Sequence, residues 1–544
     1  MNMQKDNYLW WRDGVIYQIY PRSFADSNGD GIGDLRGIID RLDYLAELGV
    51  DAIWLSPIFP SPDVDFGYDV ADYRGIDPKF GSMEDFEELL AQAHQRNLHI
   101  ILDLVLNHTS GQHPWFVEAR QPKESSFHDY YIWRDPAPGG KPPNNWAAIF
   151  GGSAWEYDEG AGQYYLHLFY KEQVDLNWRN PAVYQEMMDL FRYWCDKGVD
   201  GFRLDVFNLW YKHADLPDNP RQFPPSPPFF RPWDQQKHIY DYDQPEMMPA
   251  LAEIRSILDS YPARYAVGET FPEDAASAAR YSQPGYLHAA FNFEFTHCQW
   301  LARPFQRAIE RYEQLLSDEQ WPCYVLGNHD LSRPATRYAR GDEDGRLKVA
   351  AAMLLTLRGT PFIYYGDEIG QRDIPIRKKE DVLDPIGKSF WPFFKGRDGC
   401  RAPMQWNSCE NAGFSSTQPW LPVNADYSTR NVENQAGDPD SLLTFYRQLL
   451  TLRREHPALH RGSLHMLIED PRFVIAYERR YEDETFMVLL NFSNFERALE
   501  ISELSASEWW TPVLSNYPYD QLVTEDSVIN LQPNQALILI KDQV

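Results

Sequence analysis

Carboxylates, histidines and one arginine recur where apolar runs of this sequence end: Asp103-x-x-x-Asn107-His108, Arg203-x-Asp205, Glu269 and Asn328-His329-Asp330. Motifs of other reaction classes are missing, with no HExxH, no Cys/His cluster and no Gly-rich phosphate loop. What remains is carboxylate chemistry on a neutral substrate. Cleaving a glycosidic bond needs an acid to protonate the leaving oxygen and a carboxylate facing the anomeric carbon. Arg203 stands two residues before Asp205, so on a strand the two side chains share a face. That cation is expected to keep Asp205 ionised, as a nucleophile requires. Glu269, beside apolar Val267, is the better candidate for a raised pKa and a proton donor. Any one such acid reads equally well as a helix cap or a loop salt bridge; the combination carries the argument.

For these residues to meet, the runs before them must lie side by side. VIYQIY (15–20), DAIWLSP (51–57) and HIILDLVLNH (99–108) read as strands. Between them, IIDRLDYLAELG (38–49) and SMEDFEELLAQAHQRN (82–97) have helical spacing, the second opening on a Ser and an acidic first turn. The β-α-β-α-β order predicts a parallel sheet with crossover helices. Residues 109–178 break the rhythm and read as an insertion after the third strand. It resumes with a helix at 180–198 and strands VDGFRLDV (199–206), ARYAVGET (263–270), LHAAFNFEF (287–295), PCYVLGNHD (322–330) and TPFIYYGDE (360–368). Eight strands predict an α/β fold, a (β/α)8 TIM barrel with its chemistry at the C-terminal strand ends. A doubly wound sheet is the alternative, but no GxGxxG follows the first strand. From about Gly462 short strands with turn signals predict an antiparallel β-sandwich. The expected domains are therefore a barrel from 1–108 and 179–461, an insertion at 109–178 and a β-domain at 462–544. A loop subdomain at about 210–250 includes seven prolines between Pro217 and Pro232, which excludes regular structure there.

A chain of 544 residues exceeds what one core supports, and 43% apolar with 15% aromatic content fits a well-packed protein. With 51 Lys and Arg against 80 Asp and Glu, the formal charge of −29 opposes nucleic acid and anionic membranes and suits a neutral small molecule. Five cysteines, none at CxxC spacing, argue against a disulfide framework and for a reducing compartment. No signal-like segment and no run of roughly 18 apolar residues appears, so a cytoplasmic protein, monomeric or homodimeric, is expected. Trp10 and Trp11 read as packing residues, Cys195 as core and Glu368 as a structural carboxylate.

YQIYPRSF, DLVLNH, GFRLDV, GET and NHD, in this order and spacing, resemble the α-amylase superfamily, glycoside hydrolase family 13, from about Trp10 to the C-terminus. DFGYDVADY (65–73), QVDLNW (173–178) and GRDGCRAPMQW (396–406) resemble its α-glucosidase and oligo-1,6-glucosidase branch. The resemblance implies a retaining α-glycosidase that passes through a covalent glucosyl-enzyme. It implies Asp205 as nucleophile, Glu269 as acid/base and Asp330 as the third acid that holds sugar hydroxyls. It also implies His108, His329 and Arg203 around the first sugar, with Asp65, Tyr68 and Arg397 closing the far end. Phe169, Gln173 and Val206 complete the implied substrate site. A closed end admits one glucose, so exo-cleavage of short α-glucosides is expected. The insertion corresponds to the family's B domain, and QVDLN departs from the branch's usual QPDLN, a change expected to alter loop rigidity alone. Relatives with Val at position 206 tend to accept α-1,6 linkages, and those with Thr α-1,4. Two other functions are weighed: a transferase or isomerase making trehalose, isomaltulose or glucosides, and a non-catalytic binding or transporter-partner protein. The second is disfavoured because all three acids are present and no membrane span is.

DSNGDGIGDL (26–35) resembles the start of an EF-hand loop, but the twelfth position, where an EF-hand needs a bidentate Glu, is Gly37. Asp26, Asn28, Asp30 and Asp34 with the Ile32 carbonyl match instead the single Ca²⁺ loop of the glucosidase branch. One structural Ca²⁺, with Mg²⁺ able to take its place, is expected. The plain alternative is a turn rich in Asp and Gly.

Overall fold

A computed structural model describes residues 8–121, 125–225, 231–271, 274–341, 343–500, 510–518 and 528–542. Its centre is a seven-stranded parallel sheet, in the order Ala289–Ala290, Tyr265–Gly268, Gly201–Leu204, His99–Leu104, Ala52–Leu55, Ile16–Ile19 and Phe362–Tyr364. Eight strands are expected from sequence. The remaining one, in PCYVLGNHD, forms no ladder but makes two parallel bridges, Tyr324 to Asn292 and Val325 to Phe362. These join the two edges of the sheet and close the ring. Pro322, without an N–H, is one reason that this segment cannot extend its pairing.

The strands are buried on both sides, as near-continuous apolar runs require. Their inward residues change character along the barrel axis. Ile16, Ala52, Ile101, Tyr265, Val267 and Ala289 fill the interior with Trp54, Phe291, Val325 and Phe362. Further along four of the strands the inward positions become Gln18, Asp103, Arg203, Asp205 and Glu269, all buried. Because side chains alternate with period two, the site is the polar top layer of an apolar stack.

The segment 109–178 leaves and returns through an antiparallel pair, His108–Ser110 with Gln173–Asp175. Beyond that pair it folds as a small sheet of Trp133–Arg134, Gln163–Leu166 and Trp155–Asp158. Val174, the departure from the family pattern, lies opposite Thr109 in the pair and is fully buried. Of the Pro-rich segment, residues 226–230 lie outside the described residues.

At the C-terminal end a five-stranded antiparallel sheet (Ser463–Met466, Val474–Tyr481, Glu484–Asn491, Ala536–Lys541, Trp510–Ser515) faces the pair Arg497–Glu500 and Val528–Leu531. Apolar residues of both, among them Ala476, Leu489, Ile529 and Leu537, fill the space between them. Buried Arg479 binds this unit to the barrel, and buried Arg453 ties the barrel's own last helix to the same run of carbonyls. Arg453 donates to the carbonyls of Leu355, Leu357 and Leu459 at 2.9, 3.2 and 3.0 Å, and Arg479 to those of Leu459 and Thr356. Leu355, Thr356 and Leu357 are the exit of the helix Gly345–Thr356, where unpaired carbonyls and the macrodipole both favour a cation.

Trp10 stacks on His99 with centroids 4.5 Å apart, Cys195 is buried, and Glu368 accepts hydrogen bonds from Tyr17 and Tyr44 at 2.8 and 2.6 Å. All three thus do the structural work expected of them. No described helix is long and apolar enough to cross a membrane.

Candidate active site

Three neighbouring strands present Asp103, Arg203 with Asp205, and Glu269. Arg203 pairs in register with Asp103 on one side and Val267 on the other. The ladder continues past the strand ends: the Asp205 amide donates to the Leu104 carbonyl at 3.1 Å and the Glu269 amide to Leu204 at 3.0 Å. The backbone of each acid is thereby held by the sheet itself.

The Arg203 side chain is 1% exposed and binds three carboxylates. One terminal nitrogen donates to Asp103 Oδ1 and Asp205 Oδ1, both at 2.7 Å, and the other pairs with Glu269. Asp103 also accepts from Tyr68 Oη at 2.9 Å and Trp54 Nε1 at 3.2 Å. Arg203 pairs with Asp205 as expected, but burial acts against it more strongly. Burial raises its pKa to about 6; Arg203 pulls it down and Asp103 adds to the rise. One guanidinium divided among three acids cannot offset the desolvation of each. Glu269 lies on the same guanidinium.

The second cluster centres on Arg397. Its side chain pairs with Asp65 at 2.5 Å, Asp384 at 2.8 Å and Asp330 at 3.3 Å. Arg401 adds a 2.7 Å pair to Asp330. Burial opposes the Asp330 charge, yet His329, Arg397 and Arg401 bring its carboxyl well below the usual range. Asp330 is also the most open of the three acids, with 34% of its side chain exposed against 10% for Asp205 and 11% for Glu269. His329 stacks on Tyr68 with centroids 5.1 Å apart and planes within 2°. Burial lowers its pKa to about 3, and its Nε2 is buried without a hydrogen-bond partner, 3.5 Å from Asp330 Oδ2. A neutral ring with an unused polar atom beside a carboxylate is what a sugar hydroxyl would complete.

The antiparallel pair at the root of the insertion sets the third wall. It brings Gln173 to His108, and Gln173 Nε2 donates to the Tyr68 carbonyl at 3.1 Å and to Asp65 at 3.3 Å. Phe169 lies against His108 at 5.1 Å between centroids. Val206 follows Asp205 in a left-handed conformation, φ 31° and ψ 41°. For a β-branched residue this is a strained backbone of roughly 1–3 kcal/mol. It turns the chain out of the strand and places Val206 in the apolar cluster of Ile132, Trp146, Ile149 and Phe169.

Every barrel and insertion residue expected at the site is thus gathered at one end of the sheet. Sequence reading missed the full part of Asp103, and missed Arg401, Asp384 and Gln18. Asp103 and Arg401 carried a signal: one ends the same strand as His108, and the other lies four residues after Arg397.

The 26–34 loop is remote from these acids in the chain. Gly29 and Gly31 have φ of 79° and 90°, the left-handed region that glycine adopts without strain, and let the loop turn tightly. The amides of Gly29 and Gly31 donate to Asp26 at 2.7 and 2.8 Å, and the Asp30 and Ile32 amides to Asn28 and Asp30 at 2.9 and 2.8 Å. Asp34 caps the helix Leu35–Ile39 and accepts from Ser27 and Gly37. The donor set is all oxygen, with lone pairs left over, and fits a hard cation in kind. The carboxylates of Asp26, Asp30 and Asp34 are not drawn together. Among the described residues the one group of three His, Cys, Asp or Glu with ligand atoms within 4.8 Å is His94, His99 and Asp200. Those three pair with one another at the opposite end of the barrel strands, at 2.7 and 3.1 Å.

The alpha-amylase catalytic-domain family matches residues 18–462. The chain belongs to the α-amylase family, glycoside hydrolase family 13. It is 44% identical over 501 residues to a probable alpha-glucosidase of Rhizobium meliloti (strain 1021), covering 89% of this chain and 90% of that one. An oligo-1,6-glucosidase of Parageobacillus thermoglucosidasius is 38% identical, covering 97% and 98%. Among solved structures, an alpha-glucosyl transfer enzyme, XgtA, superposes with a TM-score of 0.93 at 40% identity, covering 98% of this chain and 100% of that one.

Asp103 raises Asp205 by its charge and by its claim on Arg203. Replacing Asp103 with Asn leaves an acceptor for Tyr68 and Trp54 but removes both effects. The Asp205 carboxyl of Asp103→Asn is therefore expected to titrate below its wild-type value of about 6, read by ¹³C-carboxyl NMR of the full-length protein. An unchanged or higher value contradicts this account.

Proposed function

We propose that this protein is a retaining, exo-acting α-glucosidase that releases glucose from the non-reducing end of short α-glucosides. The observation that carries the reading is the grip of one guanidinium on both Asp205 and Glu269. Neighbouring nitrogens of one planar group hold the two carboxyls close together. That favours the about 5–5.5 Å spacing of retaining enzymes over the roughly 6.5–9.5 Å that an inverting enzyme needs for its water. Asp205, ionised, attacks the anomeric carbon and forms a glucosyl ester while Glu269 gives its proton to the departing oxygen. Glu269 then takes a proton from the water that hydrolyses the ester. Asp330, held ionised by Arg397 and Arg401, accepts hydrogen bonds from sugar hydroxyls. The Arg397 pairs with Asp65 and Asp384 support an end closed behind one glucose, hence exo-cleavage. The glucosidase names of the relatives support the same reading, and the likeness to a glucosyl transfer enzyme supports transfer of part of the glucose to sugars or alcohols in place of water.

On isomaltose, maltose, sucrose and trehalose, tested singly with products resolved, Asp205→Asn is expected to lose at least about 10³-fold in kcat. Glu269→Gln is expected to be crippled while still binding glucose. Since Asp205 titrates near 6, kcat/KM of wild type should fall as pH drops through that value. Near wild-type turnover in either variant overturns the assignment.

The reading extends to linkage. An apolar branched Val206, fixed against the insertion, offers no hydrogen bond to a 1,4-linked acceptor and tolerates a differently angled one, so α-1,6 linkages are favoured. A single pocket contact shifts selectivity by about 1–3 kcal/mol. The kcat/KM ratio of isomaltose to maltose should therefore drop by about tenfold in Val206→Thr. A ratio that does not move sinks the idea.

The 26–34 loop is read as holding one structural Ca²⁺, or Mg²⁺, through Asp26, Asn28, Asp30, the Ile32 carbonyl and Asp34. The ion would neutralise the loop and fix its coil, apart from the reacting acids. Chelation should lower the melting temperature by several degrees and leave initial rates at 25 °C nearly unchanged. Metal-free dialysed protein with an unaltered melting curve speaks against the ion.

A further inference from the structure

Behind the pocket wall a buried lysine begins a hydrogen-bond chain that runs in one direction only. Lys212 is 3% exposed, 2.6 Å from Asp175 Oδ2, and donates to Asn107 Oδ1 at 2.9 Å. Asn107 Nδ2 lies 3.1 Å from His108 Nδ1, and His108 Nε2 lies 2.9 Å from the Tyr68 carbonyl. Each link fixes the next. An ammonium has no acceptor, so the Asn107 oxygen must face Lys212. The Asn107 amide nitrogen must then face the ring, and having no acceptor it requires a bare Nδ1. The ring proton is left on Nε2, where a carbonyl is ready to accept it. Both ends of the chain agree. Gln173 Nε2, 3.1 Å from His108 Nε2, is no competitor, since both nitrogens carry hydrogen and both are directed at the Tyr68 carbonyl.

We infer that Lys212 is a positioning residue that, through Asn107, fixes His108 as the neutral Nε2–H tautomer in the substrate pocket. Its effect on turnover rests on the glucosidase reading above; the tautomer itself does not. The charged groups facing His108 are Asp175 and Asp205, which favour its protonation, and Lys212, which opposes it, while burial keeps the ring neutral. The pairing of His108–Ser110 with Gln173–Asp175 explains why these residues meet: one antiparallel ladder delivers both the ring and the carboxylate that holds the lysine. Lys212 sits seven residues beyond Asp205, so the same strand exit that carries the reacting carboxylate also carries the group that sets the neighbouring histidine.

The test is ¹⁵N-histidine NMR of the full-length protein, with the His108 signals assigned by their loss in His108→Gln. Wild type is expected to show a bare Nδ1 and a protonated Nε2 throughout pH 5–8. In Asn107→Asp the carboxylate accepts from both Lys212 and the ring, so a proton should appear on Nδ1. A new ionisation should then enter the kcat/KM profile between pH 5 and 8, with at least a tenfold loss at neutral pH. In Lys212→Met combined with Asp175→Asn, ammonium and carboxylate leave together, no unpaired buried charge remains, and Asn107 is free to turn. His108 should then populate both tautomers. A purely structural lysine would lower the melting temperature in the double variant and leave the ring signals alone. Nδ1–H in wild type, which needs no variant to fold, overturns the inference, as does an unchanged tautomer in both variants. If the proton moves as expected but kcat/KM does not, the tautomer assignment stands and the placement of His108 against substrate fails.

Discussion

Everything at the catalytic end of this barrel is organised around one buried cation. Arg203 is buried against three carboxyl groups, those of Asp103, Asp205 and Glu269, so the acids outnumber the cation in a poorly solvated place. Replacing the guanidinium would leave three acids unpaired, a change far costlier than losing a surface pair. The sheet makes the arrangement possible. Parallel strands in register hold the backbone of each acid by ladder hydrogen bonds, so the acids cannot separate to relieve their repulsion. The consequence is functional: an aspartate poised near 6 and not near 4, still ionised at neutral pH but less stabilised, and hence more reactive, than a well-solvated carboxylate.

The second cation, Arg397, divides the labour. It and Arg401 keep Asp330 ionised where the side chain is most open, and the Asp65 and Asp384 pairs brace Arg397 in turn. One arginine therefore sets the charge of Asp205 and Glu269, the pair proposed to react, and another that of Asp330, proposed to meet the sugar. Between them stand two neutral histidines, His108 and His329, both kept uncharged by burial. Neutral rings can give or take a hydrogen bond without adding to an already crowded charge.

Outside the site the fold is fastened by the same logic of satisfied backbone groups. Arg453 and Arg479 both serve the carbonyls at the exit of the helix Gly345–Thr356, and Arg479, coming from the β-sandwich, locks that unit against the barrel. The insertion is anchored through the short pair His108–Ser110 with Gln173–Asp175, which doubles as a pocket wall. A strained Val206 joins the barrel acid to the insertion's apolar cluster, so the mouth of the site is shaped by contacts between both parts.

The order of strands, the insertion point, the change to a β-domain near Gly462 and the polar residues that gather at the strand ends were all legible in the residues. They follow from local signals: apolar runs of strand length, helix caps and polar residues at run ends. The charge balance at those ends was not legible. Arg203 two residues before Asp205 predicts a paired carboxylate, but sequence cannot count how many other acids reach the same guanidinium, since Asp103 and Glu269 come from strands 100 and 66 residues away. Nor could it show that PCYVLGNHD closes the ring by bridges alone. Lys212 gave no signal, because its meaning depends on the pairing of His108 with Asp175, 67 positions apart. Residue types and periodicity determine which groups are available; which of them share one proton or one cation is decided only when the tertiary structure sets their distances and removes the water between them.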